Sequence, residues 1–243
     1  MNYKKLKEKK DLLNKNKHLL SDGILENYAT DFDINFAHSS TAIEGNTLSL
    51  KQSKLLIEDK VSVGKKNLRE IYEVLNHDKA WKFVKEQVNQ GKYLSENLIK
   101  EIHRILMDNI EKGGEYRNAD LIITGAKFKP PSHFIIKYEL ENFFHTLKNN
   151  ELNEIALAAY THGEFVKIHP FSDGNGRTSR IIMNYQLIKE DFLPININVE
   201  KKEEYYDVLE EYAVNDNLNP FIELISKLEE EQLNFYLKQI KDI

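Results

Sequence analysis

One stretch of the chain, residues 169–180, combines most of the residue types that suit phosphate chemistry. It reads HPFSDGNGRTSR and lies between two apolar helical patterns. Gly174 and Gly176 flank Asn175, and glycine readily adopts the positive φ values that turn successive backbone N–H groups to one side. The predicted following helix presents its positive N-terminus to the same place. We therefore expect a cradle for phosphate oxygens here.

Four side chains of this stretch carry the chemistry. Arg177 and Arg180 share one face of the first helical turn and can donate to phosphate oxygens beyond the cradle. Asp173 is a hard oxygen ligand suited to Mg²⁺. His169 ends the preceding helix because Pro170 disfavours the α conformation in the residue before it. Its neutral imidazole is suited to act as the general base toward an attacking hydroxyl.

Each residue also has an ordinary structural explanation when it is taken alone. A Gly-Asn-Gly sequence is a common turn, an Asp before it can form an Asx turn, and a His at a helix end is often structural. The combination of a base, a metal ligand, a glycine turn and two arginines in one run favours the chemical interpretation. The other histidines lack metal-site spacing: His145 and His162 fall on separate helical patterns, and His77 and His103 are predicted to be half-buried helix residues.

Composition limits the class of protein. The 243 residues are 41% hydrophobic and 30% charged, as in a soluble globular chain, and ten Gly with five Pro leave few breaks in long helices. The net charge of −5 argues against nucleic acid as the main partner, and the absence of cysteine excludes disulfides and thiolate sites. No apolar run is long enough to span a membrane, and residues 1–17 lack the apolar core of a signal peptide. We expect a cytoplasmic protein.

Apolar residues with a 3.6-residue period predict an all-α helical bundle. The predicted helices cover residues 34–44, 67–88, 137–148, 152–168, 177–189, 203–212 and 220–239. Gly45 ends the first of them, and Ser49 with Gln52 has the spacing of a capping box. Two further helices are predicted to start after Ser49 and after Ser95, and the second of them holds apolar residues from Leu98 to Ile110. The helical pattern fails between residues 113 and 136, where residues 121–128 predict one β-hairpin, closed by Pro130 and Pro131. We expect a single domain over residues 1–243, with N-terminal helices to residue 90, a catalytic core over 91–190 and C-terminal helices over 191–243.

The run 169–180 resembles the signature H-x-F-x-[D/E]-G-N-G-R-x-x-R of the Fic family. The resemblance extends to residues 114–117, to the pair Pro130-Pro131, to Tyr205-Tyr206 and to residues 220–222, and it covers about residues 35–227. It implies a Fic fold and the transfer of AMP from Mg·ATP to a hydroxyl side chain of a protein, with release of pyrophosphate. ATP, Mg²⁺ and a protein target are the implied ligands, and family members often self-associate, so self-modification and a homodimer are also considered.

The resemblance also implies a role for each residue of the site. It implies that His169 is the base and that Asp173 is the magnesium ligand. Gly174, Asn175 and Gly176 would form the anion hole for the α- and β-phosphates. Arg177 would bind the β-phosphate and Arg180 the γ-phosphate. The predicted hairpin resembles the family's flap, which binds an extended target segment through Ile122, Ile123, Thr124, Gly125 and Ala126. Tyr205 and Tyr206 are expected either to line the adenine pocket or to pack in the core.

A second motif, at residues 40–45, resembles the family's inhibitory [S/T]-x-x-x-E-[G/N] motif. Ser40 and Glu44 share a helix face, and Glu44 lies in the last turn, where a carboxylate opposes the helix dipole and needs a cationic partner. The resemblance implies a bidentate pair between Glu44 and Arg180 that blocks the γ-phosphate ligand. The alternative is an ordinary solvated glutamate.

Three functional hypotheses follow from these residues. The first is AMP transfer held in check by Glu44, with the removal of AMP assisted by Glu44 as a related reaction. The second is transfer of another nucleotide or of phosphate on the same scaffold, and the third is a non-catalytic interaction module. The intact His169 and Asp173 count against the third.

Overall fold

The computed structural model describes residues 3–241, which form ten α-helices and three short 3₁₀ turns. The α-helices are α1 (Tyr3–Asn16), α2 (Asp22–Ile43), α3 (Leu50–Ile57), α4 (Leu68–Asn89), α5 (Glu96–Leu106), α6 (Ile136–Lys148), α7 (Glu154–Ile168), α8 (Asn175–Lys189), α9 (Lys202–Asn215) and α10 (Asn219–Lys241). The 3₁₀ turns are Lys17–Leu19, His133–Ile135 and Val199–Lys201. None of the helices within this range has the length and apolar character needed to cross a membrane.

The helices α7 and α8 form the centre of the molecule. Phe165 and Ile168 of α7 pack with Ile181, Ile182 and Tyr185 of α8 in a core that α4, α5 and α6 complete. Nearly every residue of α8 is buried, which is expected of a helix surrounded by other helices on all sides. The loop that joins α7 to α8 is therefore held between two fixed helix ends, and this loop is the stretch that the sequence singled out.

Two further clusters position the helices around this centre. The α1, α9 and α10 helices pack on the opposite side of α7 and α8, and α9 lies close to α7 because residue 163 is glycine. A Cβ atom at Gly163 would lie 2.8 Å from Cδ1 of Tyr212. The α2 helix packs with α3 and α4 through Ile34, Ala37 and Val74, so that its C-terminal end reaches α8.

The predicted β-hairpin at residues 121–128 is wrong, since no segment between residues 3 and 241 forms a strand. The chain makes only a turn, in which the N–H of Ala126 donates to the carbonyl of Ile123 at 3.1 Å and Gly125 has a φ of +87°. An isolated pair of strands is marginally stable without a third strand or a covering helix, and Ile122 is 84% exposed. We keep the name flap for residues 122–127.

The predicted helices that lie after residue 60 are confirmed, and their ends agree within three residues except in α5, which ends at Leu106 although the pattern extended to Ile110. The capping box of Ser49 and Gln52 at the start of α3 is also confirmed. Two boundaries differ in ways that matter. The α2 helix begins at Asp22 rather than at Ile34, and α8 begins at Asn175 rather than at Arg177, so that Asn175 and Gly176 belong to the first helical turn.

Candidate active site

Two residues with left-handed backbone conformation shape the loop between α7 and α8. His169 has a φ of +51° and ends α7, its N–H donating to the carbonyl of Phe165 at 3.0 Å. Gly174 has a φ of +75° and precedes the first residue of α8. A left-handed conformation costs a non-glycine residue about 1 kcal/mol or more, so the contacts of the surrounding structure must hold His169 in place.

Asn175 and His103 hold the loop from its two sides. The Asn175 side chain accepts from the N–H of Phe171 at 2.9 Å and donates to the carbonyl of the same residue at 2.8 Å. The ring of Phe171 is buried and stacks on that of His103, with centroids 3.6 Å apart and planes 4° apart. The Asn175 side chain thus serves the loop, which leaves only its backbone N–H, in the first turn of α8, for the anion hole that the sequence predicted.

His103 is a functional neighbour that the sequence reasoning missed. Its Nδ1 accepts from the N–H of Gly114 at 2.8 Å, so Nε2 carries the proton and donates to the carbonyl of Asp173 at 2.9 Å. Burial lowers the pKa of His103 to about 4, which keeps the ring neutral. The sequence predicted that His103 is half-buried, whereas it is buried with Ile102 and Leu106 in α5. Its place next to these apolar residues was the signal that could have indicated full burial.

The ring of His169 is oriented as a general base requires. A carbonyl can only accept, so the 3.2 Å contact between Nδ1 and the carbonyl of Val166 assigns the proton to Nδ1 and leaves Nε2 free to accept one. Burial is the largest cause that lowers the pKa of His169 below its usual value. The imidazole is therefore neutral and able to accept a proton over a wider range of pH.

The Arg117 side chain connects His169 to both ends of the loop that carries the flap. Its guanidinium donates to the carbonyl of His169 at 2.9 Å, to that of Ala119 at 3.0 Å and to that of Pro131. The N–H of Arg117 also donates to the carbonyl of Pro170 at 2.9 Å. These bonds hold the two ends of the segment 118–131 together without strand pairing. They also join those ends to the loop between α7 and α8.

The carboxylate of Asp173 is surrounded by donors. Its Oδ1 accepts from the N–H of Gly174 and from Nη2 of Arg177, the latter at 3.0 Å, and its Oδ2 accepts from Nη2 of Arg69. Burial acts to raise the pKa of Asp173, but the charge of Arg177 and the other donors outweigh burial and lower it. The carboxylate is therefore ionised. Arg69, in the first turn of α4, is a second neighbour that sequence reasoning missed.

The donor set at Asp173 fits Mg²⁺ only together with a phosphate ligand. Among residues 3–241 no group of three or more His, Asp or Glu side chains is placed to hold a metal ion. A lone carboxylate is nevertheless a common protein ligand of Mg²⁺ when waters and substrate phosphates supply the other oxygens. Asp173, beside the N-terminus of α8, meets this condition.

Arg177 is buried with part of its hydrogen-bonding capacity unused. The residue is 2% exposed and contacts Asp173, with Glu73 at 3.7 Å from Nη1. Within the described part of the chain, neither Nε nor Nη1 has a hydrogen-bond partner. A buried donor without a partner costs about 1–3 kcal/mol. This cost favours an anionic ligand at Arg177.

The guanidinium of Arg180, in contrast, has a partner in α2 or α9 at each of its three nitrogens. Nε donates to Oγ of Ser40 at 2.9 Å, Nη2 donates to the carbonyl of Ser40 and to Oε1 of Glu44, both at 2.7 Å, and Nη1 donates to the hydroxyl of Tyr205 at 3.2 Å. The expected pair with Glu44 is present, but it uses one carboxylate oxygen rather than two. A Cβ atom at Gly176 would lie 2.2 Å from Oε1 of Glu44, so only glycine leaves room for this carboxylate.

A cavity of 420 Å³ lies over these residues. Its walls include Glu44, His169, Gly176 and Arg180 at one end, and the flap and α9 at the other. The lining residues of the flap, of the position next to it and of α9 are Ile123, Thr124, Gly125, Ala126, Phe128, Tyr205, Tyr206, Leu209, Glu210 and Ala213.

The residues that were predicted for the flap and for the adenine pocket differ from one another in their surroundings. Ile122 points away from the cavity, whereas residues 123–126 line it. The hydroxyl of Tyr205 is committed to the core, 2.8 Å from Nε2 of His162, while Tyr206 is half-exposed and lines the cavity with an available ring. The flap is held to α9 by Glu210, which accepts from the N–H of Lys127 at 3.0 Å and from its Nζ at 2.6 Å.

The loop geometry coincides with a known family. The model of the Fic/DOC family matches residues 93–187, which include α5, α6, α7, most of α8 and the loop from His169 to Gly174. The chain contains a Fic/DOC domain. The Fic segment contains His103, Arg117, His169, Asp173 and both arginines of α8, whereas Arg69 and Glu44 lie before it.

Curated relatives cover more of the chain than the family model does. A protein of Culex quinquefasciatus named "Protein adenylyltransferase Fic" is 32% identical over 239 residues, which are 97% of this chain and 47% of that protein. A protein of the same name from Aedes aegypti is 34% identical over 211 residues, 84% of this chain and 42% of that protein. The Fic chain described here spans about half the length of the curated relatives it matches.

Solved structures of Fic proteins are similar over nearly the whole chain. A Fic domain containing signaling protein from Bacteroides thetaiotaomicron has a TM-score of 0.85 at 28% identity, covering 96% of this chain and 97% of the other. Fic-1 from C. elegans has a TM-score of 0.86 at 27% identity, covering 98% of this chain and 72% of the other. The shared architecture therefore includes α2 and α10 as well as the Fic segment.

Proposed function

We propose that this protein transfers AMP from Mg·ATP to a Ser, Thr or Tyr hydroxyl of a protein and releases pyrophosphate. The relatives named protein adenylyltransferase support this class of reaction. The observation that carries the proposal is the His169 ring, whose Nε2 is free to accept a proton and which lines the same cavity as Gly176 at the N-terminus of α8. A base next to an anion-binding helix N-terminus is the arrangement that nucleotidyl transfer to a hydroxyl requires.

The site offers separate places for the phosphates and the base of ATP. The first turn of α8 leaves N–H groups of residues 175–177 without an intrahelical acceptor, and the unused donors of Arg177 lie on the same turn. Asp173 would hold Mg²⁺, which when bound neutralises charge on the phosphates. Ile123, Tyr206 and Leu209 supply apolar walls at the other end of the cavity, which suit a purine.

The reaction then needs one proton transfer and one displacement at phosphorus. Nε2 of His169 accepts the proton of the target hydroxyl while the oxygen attacks the α-phosphorus. The new P–O bond forms as the bond between the α-phosphorus and the bridging oxygen to the β-phosphate breaks, and that oxygen leaves with pyrophosphate. Residues 123–126 line the same cavity as His169, which supports a role for this segment in holding an extended part of the target beside the base.

We also propose that Glu44 inhibits this reaction. Each nitrogen of the Arg180 guanidinium already donates to Ser40, Glu44 or Tyr205, so the γ-phosphate could bind Nη2 only by displacing Glu44. Since Glu44 lines the same cavity as His169, it is also placed to orient a water molecule for the removal of AMP. The loss of AMP from a modified target, absent in Glu44→Gln, is the result that this second reaction requires.

Intact mass after incubation with ATP, UTP or GTP tests the proposal. We expect Glu44→Gly to add AMP from Mg·ATP to itself or to a protein in a lysate, with little transfer by the unaltered protein and none by Glu44→Gly combined with His169→Ala. An adduct from UTP or GTP in preference to ATP would replace the proposed donor. No adduct with any nucleotide would favour the interaction module. Native mass spectrometry of the same samples reports whether the chain forms a homodimer.

A further inference from the structure

The side chain of Arg69 occupies an unusual position at the start of α4. The helix begins after Asn67, whose side chain accepts from the N–H of Arg69 at 3.0 Å. A cation in the first turn opposes the helix dipole, so this arginine needs nearby carboxylates. It has three of them: Glu73 at 3.1 Å from Nε, Glu111 at 3.5 Å from Nη1, and Asp173, which accepts from Nη2.

The contact with Asp173 uses the only carboxylate oxygen that could accept a further ligand. Oδ1 already accepts from the N–H of Gly174 and from Arg177. Oδ2 accepts from Arg69, whose positive charge therefore lies next to any cation that Oδ2 would coordinate. A divalent cation on Oδ2 would repel the guanidinium, so Arg69 and the cation compete for this oxygen.

Arg69 can leave Asp173 without losing all of its charge partners. Its side chain is 46% exposed, and both Glu73 and Glu111 remain within reach when Nη2 is released. The same Glu73 also lies 3.7 Å from Nη1 of Arg177 and accepts from the side chain of Asn46 at 2.9 Å. An exchange of Arg69 for a cation is therefore a local side-chain movement that leaves α4 unchanged.

We propose that Arg69 competes with the divalent cation for Asp173 and thereby sets the cation concentration at which the site binds nucleotide. The inference rests on the proposed function for the presence of a nucleotide and a cation. Arg69 is a positioning residue in this account: it holds the Asp173 carboxylate in the absence of the cation and gives it up when the cation binds. This contact lies on the Asp173 side of α8 and is separate from the pair between Glu44 and Arg180.

Calorimetric titration of ATP at a series of Mg²⁺ concentrations tests the competition without any turnover. The background is the full chain with Glu44→Gly and His169→Ala, in which the γ-phosphate ligand is free and transfer is blocked. We expect Arg69→Ala to lower the Mg²⁺ concentration for half-maximal enhancement of ATP binding by about three- to fivefold, because a half-exposed ion pair contributes up to about this factor. Arg69→Lys keeps the charge and is expected to show a smaller shift.

Two control variants separate the effect from general electrostatics. Lys54→Ala also removes one positive charge from an i, i+4 pair on an exposed helix face, with Glu58 at 3.4 Å, and is expected to leave the Mg²⁺ dependence unchanged. Asp173→Asn is expected to remove most of the Mg²⁺ dependence whether or not Arg69 is present. Circular dichroism of each variant checks that it is folded.

Three results would overturn the inference. An unchanged Mg²⁺ dependence in Arg69→Ala would remove the competition alone. Weaker binding of ATP in EDTA by Arg69→Ala, with the Mg²⁺ dependence unchanged, would make Arg69 a phosphate ligand instead. If no variant binds ATP with or without Mg²⁺, the proposed function fails together with the inference.

Discussion

Replacing Glu44 by alanine changes two measurable free energies that the structure links. Arg180 is 1% exposed and Glu44 is 35% exposed, so their pair is neither a surface ion pair nor a fully buried one. Removing one partner of a buried pair costs about 3–5 kcal/mol, and a surface pair contributes about 0–1 kcal/mol. We therefore expect Glu44→Ala to lower the free energy of unfolding by about 1–2 kcal/mol, which corresponds to a loss of roughly 3–6 °C in Tm for a chain of this size.

The same free energy opposes the binding of ATP in the unaltered protein. If the γ-phosphate must displace Glu44 from Arg180, the loss of the pair strengthens ATP binding by the amount that it costs the fold. A value of about 1–2 kcal/mol is an affinity increase of roughly five- to thirtyfold. The combination of a less stable protein with tighter ATP binding is the result that distinguishes an inhibitory contact from a structural one.

Differential scanning calorimetry and isothermal titration with Mg·ATP measure the two quantities on the same preparations. Ser40→Ala is the matched control, because it removes one hydrogen bond to Arg180 at 2.9 Å and leaves the carboxylate in place. We expect Ser40→Ala to lose about 1 kcal/mol of stability with a much smaller gain in affinity than Glu44→Ala shows. A fall in Tm of Glu44→Ala with an ATP affinity within twofold of the parent protein would refute the reasoning.

Three further predictions concern the loop and its supports. In urea denaturation, Gly174→Ala should be more destabilising than Gly91→Ala by about 1–2 kcal/mol. Both glycines have a positive φ, but of the two only Gly174 would bring a Cβ atom against a neighbour, Sδ of Met107 at 3.0 Å. Equal losses would contradict this. The free energy of unfolding should fall as pH drops from about 6.5 to 4, since His103 has a folded pKa of about 4 and takes up its proton more readily when unfolded. The slope of the free energy of unfolding against pH should be reduced in His103→Phe and unaffected in Lys54→Ala. The acid limb of AMP transfer by Glu44→Gly should lie below pH 6.5, because burial lowers the pKa of His169; a limb above that value would exclude His169 as the base.

The helical architecture and the catalytic loop could be predicted because their signals are local. An apolar period of 3.6 residues marks which face of each helix is buried, whatever that face packs against. The loop from His169 to Arg180 is contiguous, so the spacing of a base, a carboxylate and two glycines can be recognised without tertiary structure. The pair between Glu44 and Arg180 was expected only through a resemblance, since the partners are 136 positions apart, and the bonds from Arg180 to Ser40 were not expected.

The hairpin shows where a local signal misleads. Alternating apolar residues and a glycine turn are compatible with strands, but strands need a partner surface, and none of the described helices covers Ile122. The arms of that segment are closed instead by three hydrogen bonds from the guanidinium of a single arginine, Arg117. Nothing in the local pattern distinguishes an arginine that bridges three carbonyls from one that lies on the surface.

The supports of the site come from residues that are distant in the chain. His103 lies 70 positions before Asp173, and Arg69 lies 104 positions before it. Their roles depend on the packing of α4 and α5 against α8, which no periodicity specifies. Short-range spacing therefore sufficed to identify the candidate reacting groups, whereas the contacts that hold the backbone of His169, occupy Asp173 and cover Arg180 exist only because the fold brings separate segments within hydrogen-bonding distance.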